Sequence, residues 1–187
     1  MINLFQVRPN KKRMPKASLK LLTIVLSFTW AALLIESCKV YTFKDVSIPN
    51  EVKTIHINYI ENRAQYVDPQ LSPQLTDKLR QKITNQTKLT QVESEDADYN
   101  VQGYVSQYNV STSGVTNQQA ATNRLTVSVH ITFKNRLPVG TKDFDSEVSR
   151  NFDFSASLTI NDAEAQLTPT IVSNLTDEIF NKLFSNW

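Results

Sequence analysis

Apolar and polar residues alternate most regularly between positions 125 and 133. Every second residue there is apolar, and the apolar set comprises Leu125, Val127, Val129, Ile131 and Phe133. Because successive side chains of a strand point to opposite faces, this pattern predicts a strand with one face in the core and the other in water. Less regular alternating runs predict three more strands, over residues 54–60, 99–110 and 144–154.

The predicted strand over residues 99–110 has two different faces. Val101 and Val105 share one face, and uninterrupted alternation places Tyr104 and Tyr108 on the other. We therefore expect Tyr108 to point away from the face that bears the valines.

Two further segments repeat apolar residues every four positions, which is typical of helices with one buried stripe. The first extends to about Gln86, with Ser72 as its predicted N-cap and Pro73 in its first turn. Its stripe comprises Leu71, Leu75, Leu79 and Ile83. The second is expected to begin near Thr168, with Pro169 in its first turn and a short turn before it at residues 161–164. Its stripe comprises Leu167, Ile171, Leu175, Ile179 and Leu183, widened by Val172, Phe180 and Phe184.

The order of these elements predicts the fold class. A strand, a helix, three strands and a helix indicate an α+β protein with βαβββα order. Strands with one apolar and one polar face indicate a mainly antiparallel four-stranded sheet that is covered on one side only. We therefore expect a two-layer sandwich in which two helices cover one face of the sheet.

The amino-terminal part of the chain differs from the rest in charge. Residues 1–37 contain six Lys and Arg but one Glu, whereas the whole chain has 20 basic and 18 acidic residues. The remainder therefore has 14 basic and 17 acidic residues, a net charge of −3, which argues against a nucleic-acid partner. Leu21–Ile35 is an uncharged apolar run, short for a membrane span and preceded by basic residues. We interpret residues 1–37 as a signal peptide, with Met1 or Met14 as its start.

Cys38 directly follows this leader and is the only cysteine of the chain. The sequence Ile35-Glu36-Ser37-Cys38 resembles a bacterial lipoprotein box, although Glu36 departs from the small or aliphatic residue that is usual there. This resemblance implies cleavage before Cys38 and a membrane anchor of acyl chains on that residue. The alternative is an unmodified cysteine after an uncleaved anchor. The interpretation divides the chain into a leader (1–37), a lipidated tether (38–50) and one domain (51–187).

Recognisable catalytic patterns are missing from the sequence. His56 and His130 are far apart and lie in no metal-ligand spacing, so both are expected to be solvent-exposed strand residues. No Gly-x-Ser-x-Gly sequence is present, and the acidic residues at 93–98 lack the glycine and terminal glutamate of a calcium loop. We therefore expect no enzymatic activity, no metal site and no cofactor.

Residues Ser111–Asn123 form an uncharged polar stretch between two predicted strands. Loops of this length inside a compact domain are often binding loops. A simple hairpin tip explains the same composition, so the sequence leaves both interpretations open.

Several short segments together resemble the LptE family of lipopolysaccharide-assembly lipoproteins, in a divergent form found in one branch of Gram-negative bacteria. The similarity spans nearly all of residues 38–187, and no segment is specific alone. The segments are the lipoprotein-box cysteine with residues 41–43, then residues 52–55, 62–64, 71–76, 123–127 and the closing 179–187.

The resemblance implies a non-enzymatic outer-membrane lipoprotein on the periplasmic side. Members of the family plug the lumen of the β-barrel LptD, help it to assemble, and take part in inserting lipopolysaccharide into the outer leaflet. Uncharged polar groups suit a polar barrel lumen, so we expect the 111–123 stretch to contact the barrel. The candidate contacts are Val115, Gln118, Gln119, Thr122 and Asn123. The alternative function is a free periplasmic lipoprotein that binds a small apolar ligand; a hydrolase is a weaker third.

Overall fold

The computed structural model of the protein describes residues 48–116 and 119–185. The predicted signal peptide, Cys38, most of the predicted tether and Gln118 lie outside these residues. Within the described residues there are two helices, α1 (Leu71–Gln86) and α2 (Ile160–Phe184). The same residues contain six strands: β1 (Thr54–Ile57), β2 (Glu61–Asn62), β3 (Thr90–Gln91), β4 (Tyr99–Thr116), β5 (Gln119–Asn135) and β6 (Phe144–Ser155).

The strands form one mixed sheet in the order β3-β1-β4-β5-β6, and β2 also pairs with β4. β4, β5 and β6 are antiparallel, whereas β1 runs parallel to both of its neighbours. The expected α+β fold is therefore present, and its long strands are antiparallel as expected, but the sheet has six strands instead of four and is mixed. β2 and β3 have two residues each, which is too short for alternation to be visible in the sequence.

The hydrophobic core lies between one face of the sheet and both helices. All five apolar residues of the 125–133 pattern are fully buried, as predicted. The helix stripes face them, and Leu71, Leu75, Leu79, Ile83, Ile171, Leu175 and Ile179 are equally inaccessible. The tyrosine ring of Tyr99 packs edge-on against Phe133 with 4.8 Å between ring centroids. The covering of a single face by two helices therefore follows the periodicities of the chain.

Both predicted helix starts were wrong. Ser72 is the second residue of α1 and not its N-cap, and it is buried inside the first turn. α2 begins eight residues before Thr168, because Thr159 caps it by accepting a hydrogen bond from the Asp162 backbone N–H (3.3 Å). The helix continues through Pro169, which removes one backbone donor. Ala163 and Thr168 before the proline and Ile171 after it are buried, and this packing on both sides offsets the loss.

Tyr108 lies on the core face of β4, contrary to the prediction from alternation. The pairing of β4 with β5 shifts by one residue between Val105 and Gln107, which is a β-bulge. An extra residue in one strand reverses the face of every later side chain. Tyr108 therefore points to the same side as Val105 and is buried with it.

The predicted loop Ser111–Asn123 is a β-hairpin instead. β4 continues to Thr116 and β5 begins at Gln119, so only residues 117 and 118 separate the strands. The loop prediction failed because Ser and Thr are compatible with strands, while apolar alternation disappears where both faces of a sheet meet water.

The turn between β5 and β6 requires a glycine at position 140. Gly140 has a φ of +88°, and an added Cβ would lie 2.5 Å from the Tyr99 hydroxyl oxygen. We expect Gly140→Ala to lower the free energy of unfolding by about 2–3 kcal/mol, because it combines backbone strain with a clash. Chemical denaturation measures this loss. Gly114→Ala is the matched control, since the nearest atom lies at an ordinary 3.4 Å; equal losses in the two variants would contradict the explanation.

Candidate interaction surface

The hairpin of β4 and β5 extends beyond the helices. Its surface is unusual among the described residues because of its lack of charge. The chain contains no Asp, Glu, Lys or Arg between Asp98 and Arg124, a longer uncharged stretch than the loop expected from sequence. From Asn109 to Ser113 every residue of β4 is exposed. The hairpin therefore presents hydroxyl, amide and small apolar groups, but no charge, to its surroundings.

The structure places four of the five candidate contact residues on this hairpin: Val115, Gln119, Thr122 and Asn123. Gly114 pairs with Thr122 and Thr112 pairs with Asn123, while Val115 is 67% exposed near the tip. Thr122 and Asn123 are half-buried. Gln119 begins β5 opposite Thr116, and Gln118 lies outside the described residues.

The open face of the sheet, opposite the helices, is polar and internally paired. The Thr126 hydroxyl donates to the Asn151 side-chain oxygen (2.8 Å), and the hydroxyl oxygens of Ser128 and Ser149 lie 2.9 Å apart. At the base of the hairpin, Arg124 donates two hydrogen bonds to the Asp153 carboxylate (2.7 and 2.8 Å). These bonds lower the pKa of Asp153. The charge nearest to the hairpin is therefore neutralised by its partner.

A cluster of Tyr66, Tyr108 and Glu164 lies where the hairpin leaves the core. The Tyr108 hydroxyl donates to Glu164 Oε1 (3.0 Å) and the Tyr66 hydroxyl to Glu164 Oε2 (3.3 Å). The two rings stack with 5.5 Å between centroids. Burial, and then the Glu164 charge, raise the pKa of Tyr108. Both tyrosine hydroxyls therefore stay protonated and can donate hydrogen bonds. Through Glu164, the cluster connects the segment after β2 and strand β4 to the first turns of α2.

The two histidines do not form a site. His56 is buried and its Nδ1 lies 2.8 Å from the Val92 carbonyl oxygen, so the expectation of an exposed residue was wrong for His56. The segment that follows β3 lies against His56 and supplies this carbonyl group. His130 is half-buried, and its ring stacks on Tyr104 at 5.1 Å. Among the described residues, no group of three or more His, Cys, Asp and Glu side chains is arranged to hold a metal ion.

A family model described as LptE, lipopolysaccharide-assembly, matches residues 52–183. The chain belongs to the LptE family. The match covers both helices almost completely and all six strands, so the family assignment applies to the whole domain described above. It confirms the resemblance seen in the sequence, and LptE is a family of lipopolysaccharide assembly, not of enzymes.

Solved structures related to this LptE-family chain are distant in sequence. The hypothetical protein CT253 from Chlamydia trachomatis is 9% identical, with 72% of this chain and 99% of that chain covered and a TM-score of 0.47. Protein XCC0632 from Xanthomonas campestris is 10% identical, with 71% and 84% covered and a TM-score of 0.48. Rare lipoprotein B from Shewanella oneidensis is 13% identical, with 67% and 89% covered and a TM-score of 0.43. No curated protein matches the chain significantly.

In residues 48–116 and 119–185, neither helix is both long and apolar enough to cross a membrane.

Proposed function

We propose that this LptE-family protein is an outer-membrane lipoprotein that plugs an LptD-type β-barrel and helps it to assemble for lipopolysaccharide insertion into the outer leaflet. In this proposal residues 1–37 are a signal peptide, the acyl chains are attached to Cys38, and residues 38–50 connect them to the domain 51–187. The domain then lies on the periplasmic side of the outer membrane, within the barrel lumen.

The family match supports the lipopolysaccharide-assembly role, and the uncharged hairpin supports contact with a barrel lumen. Lumen-facing residues of outer-membrane barrels are polar. Hydroxyl and amide groups exchange hydrogen bonds with such a wall directly or through water. An unpaired charge would lose its hydration on entry, a cost that the hairpin avoids because it contains none.

The alternative, a free periplasmic lipoprotein that binds a small apolar ligand, has less support. That function requires a ligand-sized space between the sheet and the helices. In the described residues the middle of this layer is filled by buried side chains, among them Phe133, Leu75, Leu79 and Leu175. The cleft beside Tyr66 and Tyr108, at the end of the layer, is open to solvent and does not enclose a ligand. The family match also favours lipopolysaccharide assembly over this alternative.

Site-specific photo-crosslinking tests the proposed contact. Probes at Val115, Gln118 and Thr122 are expected to capture the barrel in intact outer membranes, because these positions belong to the uncharged part of the sequence, residues 99–123. A probe at Asn174, which is exposed on α2, is the matched control. The products are identified by their mass and by affinity pull-down of the mature lipoprotein. Capture of the barrel from Asn174 but from none of the hairpin positions would place the contact on the helices and contradict the proposal.

A further inference from the structure

Two long strands of the sheet have an unpaired edge in the described part of the chain. β6 is the last strand of the sheet, so its outer edge has no neighbouring strand. β4 is paired on both sides only in its first half, where β1 and β2 contact it up to Val105. The rest of β4, from Gln107 to Thr116, pairs only with β5 among the described residues, and we call its other side the β4 free edge. An unpaired edge presents a row of backbone N–H and C=O groups to which another strand can bind.

The two edges differ sharply in charge. β6 contains Asp145, Glu147, Arg150 and Asp153 in 12 residues. The β4 free edge contains no charged residue and no proline. Charges and prolines are the usual means by which proteins prevent strands from pairing edge to edge. β6 has this protection, whereas the β4 free edge lacks it.

The β4 free edge is regular where it is most exposed. Six consecutive residues pair with β5 without a shift, from Gln107 opposite Ser128 to Thr112 opposite Asn123. β-bulges limit this regular stretch on both sides, at Val105/Gln107 and at Thr112/Gly114. Asn109 and Ser111, which lie within this regular stretch, are exposed to solvent. Strands of about six residues are common, so this stretch is long enough to pair with an added strand.

An open cleft adjoins the same edge on the core side of the sheet. Its volume is about 370 Å³, which lies within the range of small-ligand pockets. The cleft is lined by Gln65, Tyr66, Tyr108, Asn109, Val110, Asn123, Phe154, Leu158 and Ile160. A strand added beside β4 would direct alternate side chains to this side of the sheet. Main-chain pairing and a side-chain pocket are therefore available at one place.

We propose that the β4 free edge binds an extended, uncharged segment of the barrel partner by β-strand addition. This inference rests on the proposed function and specifies how the partner is held. The hairpin has no charge to repel or to desolvate against such a segment. The edge includes the candidate contact Val115, and the candidate contact Thr122 on β5 pairs with Gly114 of the edge. The backbone of β4 supplies the hydrogen bonds, and the cleft accepts alternate side chains of the added strand.

Proline substitutions at neighbouring positions separate main-chain pairing from side-chain contact. The N–H groups of Asn109 and Val110 point to opposite edges of β4, because donors alternate along a strand. Of Asn109→Pro and Val110→Pro, one breaks the pairing with β5, and the other removes only a donor of the free edge. The second variant is expected to keep the melting temperature of the parent and to lose barrel capture at least about tenfold. Asn109→Ala and Val110→Ala keep the N–H and control for the side chains.

The β6 edge provides the matched control for position in the sheet. Of Ser149→Pro and Arg150→Pro, the variant that folds is expected to capture the barrel as well as the parent protein does. Ser111→Lys places a charge on the β4 free edge, which should prevent another strand from pairing with it. This variant is expected to reduce barrel capture without unfolding the domain. Ser173→Lys places the same charge on α2 and is expected to leave barrel capture unchanged. Ser111→Lys decides the question if neither proline variant of β4 folds.

The outcomes separate this inference from the proposed function. If the parent captures the barrel and the folded β4 variants capture it equally well, the edge is not used, although the proposed function stands. If the parent captures no barrel from outer membranes, both proposals are wrong. If light scattering shows a dimer of the parent that the β4 variants convert to monomer with unchanged barrel capture, the edge binds a second copy and the inference is overturned.

Discussion

Phe133→Ala is expected to lower the free energy of unfolding by about 3–5 kcal/mol, the range for removal of a buried phenylalanine ring. Phe133 is fully buried and lies between two other aromatic rings. The centroid of its ring is 4.8 Å from that of Tyr99 and 5.2 Å from that of Phe144. Truncation therefore removes ring contacts on two neighbouring strands and leaves a cavity beneath the helices.

Denaturant unfolding followed by circular dichroism measures this loss. Leu175→Ala tests the same core from the helix side and is expected to lower the free energy of unfolding by about 2–5 kcal/mol, because Leu175 is also fully buried. Lys134→Ala is the control, since Lys134 is exposed beside Phe133 in the same strand. A loss below about 0.5 kcal/mol for both core variants would show that the inward face of the sheet has been assigned wrongly.

Cys38→Ala is expected to abolish anchoring of the protein to the outer membrane. The proposed acyl chains are the durable membrane contact, since each buried CH₂ stabilises insertion by about 0.8 kcal/mol. Without the thiol no lipid is attached, so cleavage before residue 38 also fails and an unprocessed precursor accumulates. Membrane fractionation measures the anchoring, and intact-mass spectrometry measures the processing.

Ser37→Ala is the matched control for this variant, because it leaves the thiol in place and keeps a small residue at the cleavage site. It is expected to be processed and anchored like the parent protein. A mature protein with an unmodified Cys38 in the mass spectrum would disprove lipidation.

Local pattern predicted those parts of the fold in which a single periodicity persists. In β5 every apolar residue of the alternating set faces the core, and in both helices the spacing of four marks the buried stripe. These predictions succeeded because burial of one face requires the same spacing along the whole element. The family resemblance likewise rested on short motifs whose order is visible in the sequence.

The predictions failed where the outcome depended on partners distant in the chain. β3 has two residues and exists because it pairs with β1 across the intervening helix α1. The same pairing brings the segment after β3 next to His56, which is buried with its Nδ1 2.8 Å from the Val92 carbonyl oxygen. Neither the pairing nor the burial has a local signal, since two residues show no periodicity and a histidine fits either environment.

The candidate interaction surface was likewise predicted only in part from the sequence. Its lack of charge is visible in the sequence and predicts a contact surface at residues 111–123. A hairpin tip was one of the two interpretations that the sequence left open. The continuation of the strands to Thr116 and from Gln119 was not predicted, because polar residues on both faces resemble a loop. The cleft beside Tyr108 was also missed. It depends on the bulge at Val105/Gln107, which turns Tyr108 towards Tyr66 and Glu164.

The sequence alone determined the α+β class, the inward faces of β5 and of both helices, and the uncharged character of residues 99–123. These properties are local, because they depend on the spacing and type of neighbouring residues. The tertiary structure decided the strand order, the parallel pairing of β1, the face of Tyr108 and the unpaired edge of β4. These depend on which segments meet in space, and a backbone edge is open or closed only by virtue of a neighbour elsewhere in the chain.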